Sequence, residues 1–166
     1  MSDLLDGHRW LRQAGADLAT ARDNAEAHPY AACFFAQQAA EKAVKAVQIA
    51  ASGMLPRTHS VARLLDLAKD LIRGLADGAA RRQGARLDRL YTQTRYPDAL
   101  PDTIPAEYFT PEDARDAITD AQSIVVAAAD ALPAIGGQGD DAGDTDSTAR
   151  ETRPANPDGR PETAPE

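Results

Sequence analysis

The sequence predicts an all-α protein: an up-and-down bundle of four to five helices, followed by a disordered acidic C-terminal tail. Three observations predict it. Apolar residues recur at steps of three and four along most of the first 132 positions, the spacing that lines one face of a helix. The hydrophobic share is 43% and consists mostly of Ala, Leu and Val, with aromatics at only 5%. Ala and Leu favour helices because they lose little side-chain freedom there. No segment alternates with period two over enough length to make a strand.

The elements follow in order. Leu11, Ala14, Leu18, Ala21 and Ala25 stripe one face of a first helix over about residues 8–27. His28-Pro29 ends it, since the residue before a proline avoids the α region. Pro29 suits the first turn of the next helix, whose stripe is Cys33, Ala36, Ala40, Ala43, Val47 and Ala50. Small residues at these positions let a neighbouring helix approach closely, and Gly53 supplies a C-terminal stop. A short loop then leads to Thr58 or Ser60, either of which can cap a third helix. Its apolar face is Val61, Leu64, Leu65, Ala68, Leu71 and Ile72, and Gly74 ends it. Ala80, Leu87, Leu90 and Tyr91 mark a fourth helix over about residues 77–92. Pro97, Pro101 and Pro105 prevent the following stretch from being one helix. Thr110-Pro111-Glu112-Asp113 gives an N-cap, a proline at the first helical position and acids in the first turn. The last helix carries Ala114, Ile118, Ala121, Val125, Ala128 and Leu132.

Composition changes at Pro133, which divides the chain into a helical domain, residues 1–132, and a tail, 133–166. Ile135 is the tail's only large aliphatic residue, and aromatics are absent. Such a segment cannot bury enough apolar surface to offset its ordering entropy, so it is expected to be disordered. Eight acidic residues against three arginines give the tail −5 of the chain's −8, leaving −3 for the domain. A net acidic chain is a poor binder of duplex nucleic acid through unspecific charge. The single cysteine, Cys33, can form no intramolecular disulfide and reads as a small buried hydrophobe. The N-terminus has no basic segment followed by an apolar run, and no stretch approaches the ~18 apolar residues of a membrane helix, so the expectation is a cytoplasmic protein with no membrane contact. No phosphate loop, nucleophile elbow, zinc helix or Glu-x-x-His pair occurs, so no metal or other cofactor is expected.

Two polar constellations remain. On the second helix stand Gln37, Gln38, Glu41, Lys42 and Lys45; Gln38, Glu41 and Lys45 share a face, and Lys42 stacks one turn beyond Gln38. The plain reading is a solvated face with a Glu41–Lys45 pair worth ~0.3–0.5 kcal/mol. After the fourth helix, Arg95-Tyr96-Pro97-Asp98 sets a guanidinium, a phenol and a carboxylate in a proline-stiffened loop. Arg82, Arg86 and Arg89 line one face of that helix and lead towards Arg95. Such a row can engage phosphates bidentately, or can simply be solvated. Tyr91, Tyr96 and Tyr108 interleave with these cations, an arrangement that suits an unpaired base as well as a bundle core. Of the histidines, His8 reads as solvated, His28 ends the first helix, and His59 sits beside the Thr58 cap.

Ala39, Glu41, Lys42, Lys45 and Ala46 on helix two, then Thr58-His59 with Leu64 and Leu65, then Thr94-Arg95-Tyr96-Pro97-Asp98-Ala99, and finally the helix start at Thr110, Glu112, Asp113 and Ala114 together resemble a HEPN domain (higher eukaryotes and prokaryotes nucleotide-binding). The resemblance spans about residues 8–132, essentially the whole domain. It implies a four- to five-helix bundle that forms a homodimer. It also implies a partner, because many prokaryotic members sit beside a minimal nucleotidyltransferase in toxin–antitoxin or defence modules. Many members cut RNA without a metal, using an Arg, four to six residues, and a His brought together across the dimer. In that chemistry the His is general acid or base and the Arg stabilises phosphorane charge. Here Arg95 takes the place of the motif arginine, but Leu100, Pro101 and Asp102 stand where its His belongs. The one literal match is Arg22, five residues, His28.

The resulting expectation is a module that binds a nucleotide or single-stranded RNA. Arg95, Tyr96 and Asp98 form its ligand-facing cluster, supported by Lys42, Lys45 and His59. Arg95 contacts phosphate, and Tyr96 stacks on a base or is modified by the nucleotidyltransferase partner. The first alternative is a metal-independent endoribonuclease using Arg95 with a non-standard histidine, His59 or His28. The second is a non-catalytic helical scaffold.

Overall fold

Six α-helices and one 3-10 turn make up the described part of the chain, with no strand among the described residues. The computed structural model describes residues 2–72 and 78–133. The helices are α1 (Ser2–Asn24), α2 (Pro29–Ser52), α3 (Val61–Leu67), α4 (Gly78–Gln93), α5 (Pro105–Tyr108) and α6 (Pro111–Ala131). The 3-10 turn is Pro97–Ala99, and α5 is a single turn, so the architecture is a bundle of five principal helices. The prolines after α4 break that stretch into these two short pieces: Pro97 and Pro105 each open one, at the position where a missing N–H costs nothing. These residues belong to one compact unit, Met1–Ile135.

The α1–α2 hairpin is the foundation. The two helices run antiparallel, with Asp3 beside Gly53, Gly7 against Ala46 and Ala50, and Asp17 bonded to Lys42. A Cβ on Gly7 would lie 2.8 Å from the Ala46 carbonyl oxygen and from the Ala50 Cβ, so only glycine allows this approach. The small stripe of α2 does the rest: Ala36, Ala39, Ala40 and Ala43 are fully buried. Gly53 ends α2 in the left-handed region, φ 68°, with its N–H on the Ile49 carbonyl. α2 is the central helix, packed against α1, α3, α4, α5 and α6. Leu64, Ile72, Leu87 and Ile124 are the largest apolar side chains fully buried in the core.

Two boundaries differ from the sequence reading, the start of α1 and the end of α3, and of the two caps it offers for α3 one is used. α1 starts at Ser2 rather than near residue 8, because its first turns pack onto the end of α2. Ser60, not Thr58, caps α3, its side chain accepting from the Arg63 N–H. α3 then ends at Leu67; Ala68 and Ile72 are still buried, but as part of a turn. The stop at Gly74 lies outside the described residues, as does the tail from residue 134 onward. On α6, Thr110 is the N-cap and Pro111 opens the helix as expected, and the Asp113 side chain accepts back from the Thr110 N–H to complete a capping box. Its buried face is centred on Ala114, Ala117, Ala121, Ile124 and Ala128, which leaves Ile118 and Val125 half-buried at the edge.

Candidate functional site

The polar stripe of α2 is not a solvated face. Gln37, Glu41 and Lys45 follow one another at steps of four, and all three are buried because α2 is enclosed by its neighbours. Lys45 Nζ donates to Glu41 Oε1 at 2.8 Å, and Gln37 Nε2 donates to Glu41 Oε2 at 3.0 Å. The side chains of Lys45 and Glu41 are only 6% and 7% exposed. Burial pushes the Glu41 carboxyl up. The hydrogen bonds from Lys45 and Gln37, the Lys45 charge and the His59 contact outweigh that and hold it below the ordinary carboxylate range. This carboxylate is therefore ionised and fixed in place.

Glu41 in turn orients a histidine. Asp88 of α4 caps α3 from outside, accepting from the Ser60 hydroxyl at 2.6 Å and from the N–H groups of Val61 and Ala62. This pins the segment before α3, and Gln37 Nε2 also donates to the His59 carbonyl at 3.2 Å. His59 Nδ1 then lies 3.0 Å from Glu41 Oε1. A carboxylate only accepts, so the contact puts a proton on Nδ1 and leaves Nε2 to take or give one. The His59 side chain is 58% exposed, so that nitrogen is within reach of a ligand.

One aromatic ring joins His59 to Arg95. The His59 ring stacks on Tyr91, centroids 4.8 Å apart at 23°. The Arg95 guanidinium lies 4.0 Å from the Tyr91 centroid and 4.5 Å from that of Phe34. Arg95 Nη1 also donates to the Tyr91 carbonyl. Among the described residues no carboxylate pairs with Arg95. One of its five N–H groups is engaged, and the rest remain for an anion. The arrangement is a cation over two aromatic rings beside a histidine whose tautomer is set by a buried carboxylate.

The other expected residues fall elsewhere. Lys45 is the counter-ion of Glu41. Lys42 points to α1, donating to Asp17 at 2.6 Å and to Gln38 at 3.2 Å. Tyr96 is 53% exposed and Asp98 is exposed, and neither side chain makes a polar contact with Arg95. The arginine row of α4 is divided: Arg86 is committed to Asp120 through two hydrogen bonds of 2.8 and 2.7 Å, while Arg82 and Arg89 are exposed. Arg22 donates to Gln122 of α6, and His28 sits at the entry to α2; no contact joins the two. Cys33 is fully buried, and burial followed by the nearby Asp113 charge pushes its thiol up to about 12. The sequence reading missed Phe34, which carries no signal beyond being aromatic. Gln37 and Glu41, part of the polar constellation of α2 but not of the expected binding set, join the cluster through their four-residue spacing with Lys45.

The class these features define is an all-helical bundle on an α1–α2 hairpin, with a cationic and aromatic cluster where α2, the α3 entry and α4 meet. Residues 8–130 match the family model of the HEPN domain, and the chain belongs to that family. It is similar to TT1696 from Thermus thermophilus, at 33% identity and a TM-score of 0.68, over 76% of this chain and 98% of that one. It is also similar to ST0689, an archaeal HEPN homologue, at 32% identity and a TM-score of 0.62, over 76% of this chain and 98% of that one. No relative was found among curated proteins. No helix among the described residues is long and apolar enough to cross a membrane.

Proposed function

We propose that this HEPN protein binds a nucleotide or single-stranded RNA through the Arg95 cluster, as a homodimer partnered with a minimal nucleotidyltransferase in a toxin–antitoxin or defence-type module. Residues 1–132 are the binding domain in this reading, and 133–166 an acidic appendage. The observation that carries it is Arg95, laid over Tyr91 and Phe34 with unengaged donors and no carboxylate partner among the described residues. A guanidinium in this state is pre-oriented for a phosphate, so little freedom is lost on binding. Tyr96, exposed one residue on, stacks on a base or receives the partner's modification. Asp98 accepts from a ribose hydroxyl. Lys45 and Glu41 act at one remove by holding His59.

Arg95→Lys tests this better than truncation, because it keeps the charge and most of the packing while removing the planar fork. Titration of a labelled single-stranded oligoribonucleotide followed by anisotropy should give a Kd raised roughly tenfold, with the melting temperature nearly unchanged. Equal affinity in the two proteins rejects the reading.

A specific observation favours a second reading, a metal-independent endoribonuclease. His59 and Arg95 share the Tyr91 ring, and Glu41 orients His59 as a carboxylate orients a catalytic base. His59 Nε2 would take the proton of a 2′-hydroxyl or protonate the leaving oxygen, and Arg95 would hold the phosphorane charge. RNA cleavage in EDTA, abolished by His59→Ala, supports it; intact RNA with a folded protein removes it.

A further inference from the structure

An apolar groove lies apart from the His59–Tyr91–Arg95 cluster, where the end of α2, the loop after it and the end of α3 come together. It has a volume of ≈ 450 Å³, in the range of small-ligand sites. Met54, Leu55, Leu67 and Leu71 line it, and they are four of the nine exposed large apolar side chains among the described residues. Exposed apolar surface gathered in one place marks a binding site, whereas the same residues scattered singly need no explanation. No charged side chain among the described residues lines the groove, so it offers no counter-ion to a phosphate or a carboxylate.

The buried part of its wall is Gln48, 6% exposed. Gln48 Nε2 donates to the Leu64 carbonyl at 3.2 Å. A carbonyl only accepts, so this bond fixes which end of the amide faces α3 and leaves Oε1 as the end to be satisfied. Oε1 is buried and has no hydrogen-bond partner in the protein, the one such side-chain atom among the described residues. The nearby Ser52 hydroxyl does not serve it, because its proton goes to the Gln48 backbone carbonyl at 2.9 Å. A buried acceptor in this state is a standing cost to the fold, and nearly all such atoms in native proteins are paired.

We infer that this groove binds a small neutral molecule of the indole or phenol class, an apolar ring whose single N–H or O–H donates to Gln48 Oε1. The missing donor sets the one polar group, the uncharged lining sets neutrality, and the leucines bury the ring. Met54, unbranched and exposed, yields to admit it and offers its thioether to the ring. The inference is independent of the Arg95 reading: it shares no residue with that cluster, and a phosphate has no place in this groove.

Indole and 1-methylindole test it, because they differ only in the donor. In the full chain, NMR should show saturable shifts of the Gln48 side-chain amide and the Met54 methyl on titration with indole. 1-Methylindole, the more apolar of the two, should nevertheless bind at least roughly fivefold more weakly. Gln48→Met exchanges the unsatisfied acceptor for an apolar group of similar shape, so it should fold and lose the discrimination between the two probes. Leu67→Glu sets a charge on the exposed rim and should weaken indole binding roughly tenfold or more, with the melting temperature nearly unchanged. It decides the matter should Gln48→Met fail to fold. Shifts that do not saturate, equal or tighter binding of 1-methylindole, discrimination that persists in Gln48→Met, or an unchanged indole affinity in Leu67→Glu each overturn the inference.

Discussion

Helices α2 and α4 each carry a row of charged or polar side chains at helical spacing, and the two rows meet opposite fates. On α2, Gln37, Glu41 and Lys45 are buried and bonded to one another. In the α4 row of Arg82, Arg86 and Arg89, the first and last stand in solvent, and only Arg86 finds a partner among the described residues, Asp120. The difference lies in what surrounds the helix rather than in the pattern. α2 touches α1, α3, α4, α5 and α6, so the polar residues it turns into the core must be bonded there. α4 touches α2, α3 and α6 and keeps an outer face. A buried polar row specifies geometry and presents a fixed histidine. An exposed row contributes mostly charge.

Breaking the buried row should have the largest effect. Lys45→Met removes the counter-ion of a carboxylate that stays buried, which typically costs roughly 3–5 kcal/mol. Equilibrium denaturation reads this directly. A cost near that of a surface pair would mean that the α2 row is solvated after all.

Glu41→Gln sharpens the same point through pH. The amide can still accept from Lys45, so the cost at neutral pH should be smaller, roughly 1–3 kcal/mol. The native Glu41 carboxyl lies below its ordinary value of 4.5, so its contribution to stability is complete above that value. The contribution disappears as pH falls through the lower native value. The variant has no such group to titrate, so the stability gap to the parent should narrow in acid. A gap that stays constant from neutral to acidic pH would contradict the depression assigned to Glu41.

The contrast between the two helices also explains what the sequence could and could not disclose. Helical periodicity, the proline and glycine stops and the Thr110–Asp113 box are local signals, and they locate α2, α4 and α6 closely. The start of α1 is not local. Gly7 is a poor helix former, yet it lies within the helix because Ala46 and Ala50 leave no room for a Cβ. The same holds for the site. Arg95 and His59 stand out by residue type, but their meeting on Tyr91 depends on Asp88 capping α3 from another helix and on Gln37 holding the His59 carbonyl. No spacing within one segment encodes that. The burial of Glu41 and Lys45 was hidden for the same reason: a stripe shows which side chains share a face and is silent on what covers it.

The smallest expected effects lie on α4, and they test whether its row is as uneven as it looks. Arg86→Ala removes two charge-assisted bonds to Asp120, a residue only 7% exposed, while the arginine side chain itself is 55% exposed. Water can replace part of what is lost, so the cost should be about 1–2 kcal/mol. Arg89→Ala touches no hydrogen-bond or ion-pair partner among the described residues and should stay within about 0.5 kcal/mol of the parent. Thermal or denaturant midpoints of the two variants, measured side by side at low and high salt, give the comparison. The Arg86 loss should persist in salt, because its partner is shielded from solvent. If the two variants behave alike, Asp120 is being satisfied by something other than Arg86, and the division of the α4 row into one structural and two free arginines fails.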